Sequence, residues 1–329
     1  MKPFHPFINF TTKCLIVCGC VISLLFLLNL RYEQVMDRPY SDADKFRYMN
    51  STYTNIQICN LGSSHGEYAF DYEDLSKKSG YQCFNFAMSS QTYNYDYAIL
   101  SMYRNHFADD CIMFIPVSYF SFNNEVINET EQEFLDAKYY SFLSPRYIPH
   151  YDPYVDIVTH HFPILSAGED IVKLLPSLSL RAFAAESTPE GGNRPSDEEF
   201  LQKALDRYSR HMDHKDEYFL PERIDNLYAI LGFCEDHGIT PVLITTPYTR
   251  YYYGQASVEF KGQFRSLISS IASECGVSYY DYSEDERFSD HLEYFSDADH
   301  LNDEGAALFM DIIKQEIPEF ADFLSRNHP

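Results

Sequence analysis

Short apolar runs alternate with longer amphipathic stretches along most of the chain. IQICNLG (Ile56–Gly62), YQCFNFA (Tyr81–Ala87), CIMFIPV (Cys111–Val117), TPVLITTP (Thr240–Pro247) and VSYYDY (Val277–Tyr282) read as buried strands. Between them, apolar positions at helical spacing predict helices over Tyr93–Phe107, Pro221–His237, Glu259–Cys275 and Asn302–Ile317. Two of these stop at glycines, Gly238 and Gly276, which accept the left-handed conformation of a helix C-terminus. The last opens on Asp303 and Glu304, acids that suit the positive end of a helix dipole. Alternating strands and helices imply an α/β fold, a three-layer sandwich with a central parallel sheet covered on both faces. From 123 to 216 the rhythm breaks into a stretch rich in Tyr, Pro, His and acid. Within it Ser196 and Glu199 form a capping-box pattern for a helix ending near Met212. We read this stretch as an insertion that caps the active-site edge.

The N-terminus follows another pattern. Cys14–Leu30 is apolar and uncharged, long enough to span a bilayer at the short end of the range. NLRYEQV, which follows, offers no small residues for a signal cleavage site. The expectation is a signal anchor over 1–31, a polar stalk over 32–54 and an α/β domain over 55–329. The chain is then a single-pass membrane protein in contact with the lipid bilayer. Its N-terminus lies in the cytoplasm and its main domain on the extracytoplasmic side.

Composition narrows the function. The net charge of −24 repels phosphates, which sets nucleic acid aside as a partner. The chain has no Trp but 28 Tyr and 26 Phe. Tyr faces suit carbohydrate and equally fill cores, and Tyr251–Tyr253 beside Arg250 fits either a glycan groove or a packed loop. Cys59, Cys83, Cys111, Cys234 and Cys275 lack any paired spacing and read as buried small hydrophobes. His160, His161, His211 and His214 lack neighbours at metal-ligand spacing, so neither metal nor cofactor is expected.

Two segments carry chemistry. LGSSHGEY (Leu61–Tyr68) follows the first strand, where ligands bind in open parallel sheets. A serine there, Ser64 rather than Ser63, can be both nucleophile and backbone oxyanion donor. FSDADHLNDEG (Phe295–Gly305) precedes the last helix. His300 is the general base that a serine needs, and Asp297 the carboxylate that orients it, with Asp299 the alternative and His291 a nearby decoy. Together Gly62-Ser63-Ser64 and Asp297-x-x-His300 resemble the first and last blocks of the SGNH/GDSL hydrolase superfamily. Asn85-Phe86-Ala87-Met88-Ser89-Ser90 occupies the place of its second block, with alanine and serine for glycines. Ser118 stands where the third block has asparagine.

The resemblance implies a flavodoxin-like sheet and a catalytic triad of Ser64, Asp297 and His300. It implies an oxyanion hole from the Ser64 and Ala87 amides, with Ser118, Gln91 and Asn123 all open as the third donor in place of the family's asparagine. Asn85 and Gln91 are the candidates for substrate contact. The altered blocks are most similar to membrane-anchored envelope proteins that move acetyl groups on exopolysaccharides or D-alanine on teichoic acid. The expected activity is a serine esterase or O-acyltransferase on acyl, foremost acetyl, esters of a cell-envelope glycan. Its partners are an acyl donor and glycan acceptor, or an acylated glycan. The rival is a non-catalytic envelope protein on the same fold that binds glycan or assists a multi-pass membrane acyltransferase.

Overall fold

The computed structural model describes residues 5–36, 45–46, 49–123, 138–140, 142–149, 151–154, 156–166, 197–212 and 218–326. They fall into two units. One comprises Met1–Phe46 and Asn128–Gly192, the other Arg47–Ile127 and Asn193–Pro329.

In the first unit, helix α1 (His5–Met36) contains Phe10–Tyr32, which is long and apolar enough to cross a membrane. The helix runs on to Met36, past the boundary expected for the stalk, because adding a residue to a formed helix is far easier than starting one. Asn29, near its C-terminal end, accepts a hydrogen bond from the Ile164 amide at 3.1 Å. The rings of Phe46 and Phe142 stack at 4.1 Å.

The second unit is built on five strands, β1 (Ile56–Asn60), β2 (Cys83–Asn85), β3 (Phe107–Pro116), β4 (Ile239–Thr245) and β5 (Ser278–Asp281). All pairings are parallel, in the order β2-β1-β3-β4-β5. Strand alternation sorts the core into two faces. Ile58, Ile112, Phe114, Val242 and Ile244 pack with Phe309, Ile313 and Phe320 from the C-terminal helices. On the other face Met113 meets Cys234, sulfur to sulfur at 3.9 Å. Cys59, Cys83, Cys111 and Cys234 are buried free thiols, as small hydrophobes should be, whereas Cys275 at a helix end is exposed.

The β1–β2 crossover consists of α2 (Ser64–Ala69) and α3 (Glu73–Ser79), too short to show a periodicity in sequence. Helix α4 (Tyr93–Tyr103) ends earlier than its apolar pattern suggests: a 3-10 turn (Arg104–His106) follows and β3 begins at Phe107. The insertion contributes α5 (Asp197–Met212) to this unit; Ser196 of the capping-box pattern and His214 lie outside the described residues. Helices α6 (Pro221–Asp236), α7 (Val258–Cys275), α8 (Asp303–Glu316) and α9 (Pro318–Arg326) complete the fold.

The sheet order places a switch point at β1. The chain leaves β1 for β2 on one side and returns as β3 on the other, opening a crevice beyond the carboxyl ends of β1 and β3. Gly62 makes the turn there with φ of 107°, a region where a side chain is strained. Gly66 lets α2 lie against the sheet. A Cβ at that position would stand 2.3 Å from the Leu61 carbonyl oxygen and 2.9 Å from the Ala87 side chain. Backbone cannot yield to such a clash, so Gly66→Ala should lower stability by about 1–3 kcal/mol or more. Thermal unfolding of the full chain in detergent measures this. An unchanged transition contradicts the tight docking of α2.

Candidate active site

The turn after β1 and the loop before α8 meet in the crevice. Ser63 is the N-cap of α2, and Ser64 occupies its first turn. The turn is braced from three directions. The Gly62 amide donates to Asp96 Oδ1 at 3.0 Å, the Met88 amide donates to the Gly62 carbonyl at 3.1 Å, and the Leu61 amide donates to the Phe114 carbonyl at 3.0 Å.

The second loop closes on itself. Phe295 bridges Leu301, and the Ser296 amide donates to the His300 carbonyl at 3.0 Å. Asn302 caps α8 by accepting from the Gly305 amide at 2.9 Å. The Thr249 hydroxyl, beyond β4, holds the Ala298 carbonyl at 2.5 Å. A short loop fixed at so many points presents two side chains in one direction.

His300 Nε2 lies 2.8 Å from Ser64 Oγ, and His300 Nδ1 lies 2.9 Å from Asp297 Oδ2. The other Asp297 oxygen accepts from the amides of Asp299 at 3.1 Å and His300 at 3.0 Å. Burial pushes the Asp297 carboxyl up. The hydrogen bond and charge of His300, with the Arg207 guanidinium, outweigh this and hold it well below the usual carboxylate range. An ionised Asp297 accepts from Nδ1–H, so His300 Nε2 carries the lone pair that faces the serine hydroxyl.

Behind this relay lies a second, fully buried one. His65 Nδ1 is 2.6 Å from Ser118 Oγ, and His65 Nε2 is 3.0 Å from Asp299 Oδ2. Burial drives the two groups toward their neutral forms, taking His65 down to about 3 and Asp299 up to about 7. Arg207, on α5, reaches both carboxylates: Nη2 lies 2.6 Å from Asp297 Oδ2 and Nε 3.4 Å from Asp299 Oδ1. His211, one turn on, sets Nδ1 2.7 Å from the hydroxyl of buried Tyr252. Burial pulls His211 below its ordinary value. A cavity of about 290 Å³ opens over Ser64, lined by Tyr68, Ser89, Ser90, Phe120, Arg207 and His300 among others.

Other expected positions serve differently. The Ala87 amide donates to Asn85 Oδ1 at 3.0 Å, so it is not free to hold an oxyanion. Asn85 braces the start of the crossover: its Nδ2 donates to the carbonyls of Gly66, Glu67 and Phe70, each at 3.1 Å. Ser118 is committed to His65, and its amide donates to Ser121 Oγ at 2.8 Å. Gln91 binds the Phe86 carbonyl at 3.1 Å and Asp96 Oδ1 at 2.6 Å. Ser89 and Ser90, two and three residues beyond Ala87, line the cavity in its place, and Ser90 has a left-handed φ of 57°. Tyr252 is buried, and Arg250 pairs with Asp290 at 2.9 Å.

His65, Asp299 and His300 offer potential ligand atoms within 4.8 Å of one another. Each imidazole nitrogen there is already hydrogen-bonded, so a metal would have to displace the relays.

No protein-family model and no curated protein matches the chain. Among solved structures, a Streptococcus pneumoniae protein provisionally described as a platelet activating factor is similar at 14% identity. The match covers 90% of this chain and 97% of that one, with a TM-score of 0.41. A Bacteroides fragilis protein provisionally described as an acylhydrolase is similar at 11% identity, over 84% of this chain and 96% of its own, with a TM-score of 0.39. Neither likeness says anything of this chain's substrate.

Two site residues have no role in the sequence reading, His65 and Arg207. The doubled acids of Asp297-Ala298-Asp299 beside a doubled Ser63-Ser64-His65 were the available signal for His65: two acids for two imidazoles. Arg207 sits on a solvent-facing helix of the insertion, where nothing local marks it.

The burial of His65 gives a direct check. Its ring should take up no second proton from pH 8 down to about 5, so its two nitrogens should never show the paired shifts of an imidazolium. They respond only as the neighbouring Asp299 carboxyl titrates at about 7. Conversion to the doubly protonated imidazolium near pH 6.5, the ordinary value for histidine, contradicts the buried relay.

Proposed function

We propose that the chain is a serine esterase or O-acyltransferase of the SGNH/GDSL type, anchored in a membrane through Phe10–Tyr32. It acts on acyl esters of a cell-envelope glycan. The observation that carries this reading is the continuous hydrogen-bonded path from Ser64 Oγ through His300 to Asp297. A serine hydroxyl is a poor nucleophile until a base takes its proton, and His300 Nε2 stands at the distance for that transfer.

Ser64 Oγ attacks the ester carbonyl as its proton moves to Nε2. The tetrahedral oxyanion meets the Ser64 amide and the turn at Ser89 and Ser90, which takes the role expected of Ala87. His300 then protonates the leaving alcohol, and an acyl-Ser64 enzyme remains. Asp297 stabilises the transient imidazolium and keeps the ring in register. In the second half-reaction water, or a glycan hydroxyl, is deprotonated by His300 and takes the acyl group. Asp299 and His65 form the floor under the relay, and Arg207 holds Asp297 in place. In this reading the N-terminus is cytoplasmic and the catalytic unit extracytoplasmic.

One observation favours the rival reading. The Ala87 amide and Ser118 hydroxyl, both expected in the oxyanion hole, are engaged elsewhere. A protein of this fold without a working oxyanion hole would bind glycan, or assist a multi-pass acyltransferase, without turning over.

Two measurements separate the readings. Ser64→Ala and His300→Ala should each lower hydrolysis of an acetyl ester by about 10⁴-fold or more, as loss of a nucleophile or base does elsewhere. Wild-type activity in Ser64→Ala removes the assignment. A fluorophosphonate probe should label the wild-type chain and not Ser64→Ala. A well-folded wild-type protein that resists the probe supports the binder.

A further inference from the structure

The apolar stretch Phe10–Tyr32 is bare along most of its surface, but one stripe near its C-terminal end is covered. Leu25, Asn29 and Tyr32, at helical spacing on one face, meet a segment of the insertion that belongs to the same unit. The segment is a short helix (Asp156–His161) followed by a 3-10 turn (Pro163–Ser166). Phe162 and Ile164 cluster with Leu25 and Tyr32, and the Ile164 amide donates to Asn29 Oδ1 at 3.1 Å. Asn29 is 4% exposed. An asparagine facing lipid is costly, and here the segment covers it.

Helix geometry turns this contact into a depth. The stretch has 23 residues. At 1.5 Å per residue it is about 35 Å long, against about 30 Å of bilayer hydrocarbon. Leu25 precedes Tyr32 by two turns, about 10 Å along the axis. With the stretch centred in the bilayer, Leu25 sits about 5–10 Å below the hydrocarbon surface, and what touches it lies at that depth too. The segment therefore cannot stand in water while the helix spans the membrane.

Its free side suits that place. Ile157, Val158 and Leu165 are half exposed, and Tyr154, just before the helix, is 96% exposed. Tyrosine favours the headgroup level. The segment also satisfies backbone groups internally, as lipid demands. The Phe162 amide donates to the Val158 carbonyl at 2.8 Å, and the Leu165 amide to the Phe162 carbonyl at 2.9 Å. The acids gather at the other end. The Tyr154 amide donates to Asp152 Oδ1 at 2.8 Å, and the Asp152 amide to Asp156 Oδ2 at 2.7 Å. Polarity thus falls along the segment toward Ile164, which is held against the span.

Resting on the reading of Phe10–Tyr32 as a membrane span, we propose that the Asp156–His161 helix and the turn after it form a second membrane contact. They lie in the bilayer surface on the C-terminal side of the span, with Ile157, Val158 and Leu165 among the acyl chains and Tyr154 at headgroup level. The lipid then holds this unit at two places, which limits how far it can tilt off the surface.

The chain has no Trp, so a single introduced indole reports its own surroundings. Full-length Leu165→Trp and, at the middle of the span, Val21→Trp are reconstituted in phosphatidylcholine vesicles with plain or brominated acyl chains. Both positions are exposed, so the indole displaces little. Acrylamide in the buffer is the aqueous quencher. Leu165→Trp should lose about half or more of its emission when bromine sits near the headgroup end of the chains, the depth of an interfacial helix. Val21→Trp should respond most to bromine near the chain ends. Where Leu165→Trp does not fold, Val158→Trp takes its place with the same expectation. Quenching of the segment's indole by acrylamide and not by lipid, or by neither, while Val21→Trp responds to lipid, overturns the second contact and leaves the span in place. If Val21→Trp is itself untouched by brominated lipid, the span and the contact fall together.

Discussion

The hydrogen bond from Ser64 Oγ to His300 Nε2 joins residues 236 positions apart, and every chemical statement about the chain depends on it. One such bond contributes about 1 kcal/mol net, far too little to draw two distant segments together. The bond is therefore a result of the fold and not its cause. The switch point at β1 opens a crevice at one edge of the sheet, and Gly62 turns the chain into it. Packing of Phe309, Ile313 and Phe320 on the sheet sets the start of α8 beside it. Helices α8 and α9 thus position His300 through apolar burial.

The carboxylates Asp297 and Asp299 share the crevice with the imidazoles of His65, His211 and His300, and their surroundings push the two acids apart. Asp297 accepts from two amides, His300 and Arg207, so it remains ionised. Asp299, two residues on, is buried against His65 and pushed toward neutrality. Environments that separate like groups in this way are how one site obtains both a fixed negative charge and an uncharged floor. Arg207 ties the insertion into this arrangement. It is a cation from α5 seated on the relay of a chain that is strongly acidic overall.

The layers of the α/β unit were legible because buried parallel strands read as short apolar runs, and all five were found within a few residues of their bounds. The β1–β2 crossover was not, because α2 and α3 are shorter than two full turns of any readable periodicity. The Ser64, Asp297 and His300 positions stood out because their spacing to a strand end and a helix start is local. The engagement of the Ala87 amide and the Ser118 hydroxyl did not, because which polar group stays free beside a cavity depends on side chains that occupy the others. Asn85 occupies the Ala87 amide and His65 the Ser118 hydroxyl, and neither engagement has a local signature. Arg207 enters from the insertion through tertiary packing alone.

The central claim is a covalent one, that Ser64 carries the acyl group between donor and acceptor. Acid-quenching the full-length chain within the first turnovers on an acyl ester and mapping the mass by peptide fragmentation tests it most directly. The account predicts an acyl-sized increment on the peptide containing Ser64, accumulating when the acceptor is withheld and absent from a His300→Ala chain. Product formed at a measurable rate with no modified Ser64 at any quench time, or with the increment on another residue, would contradict it.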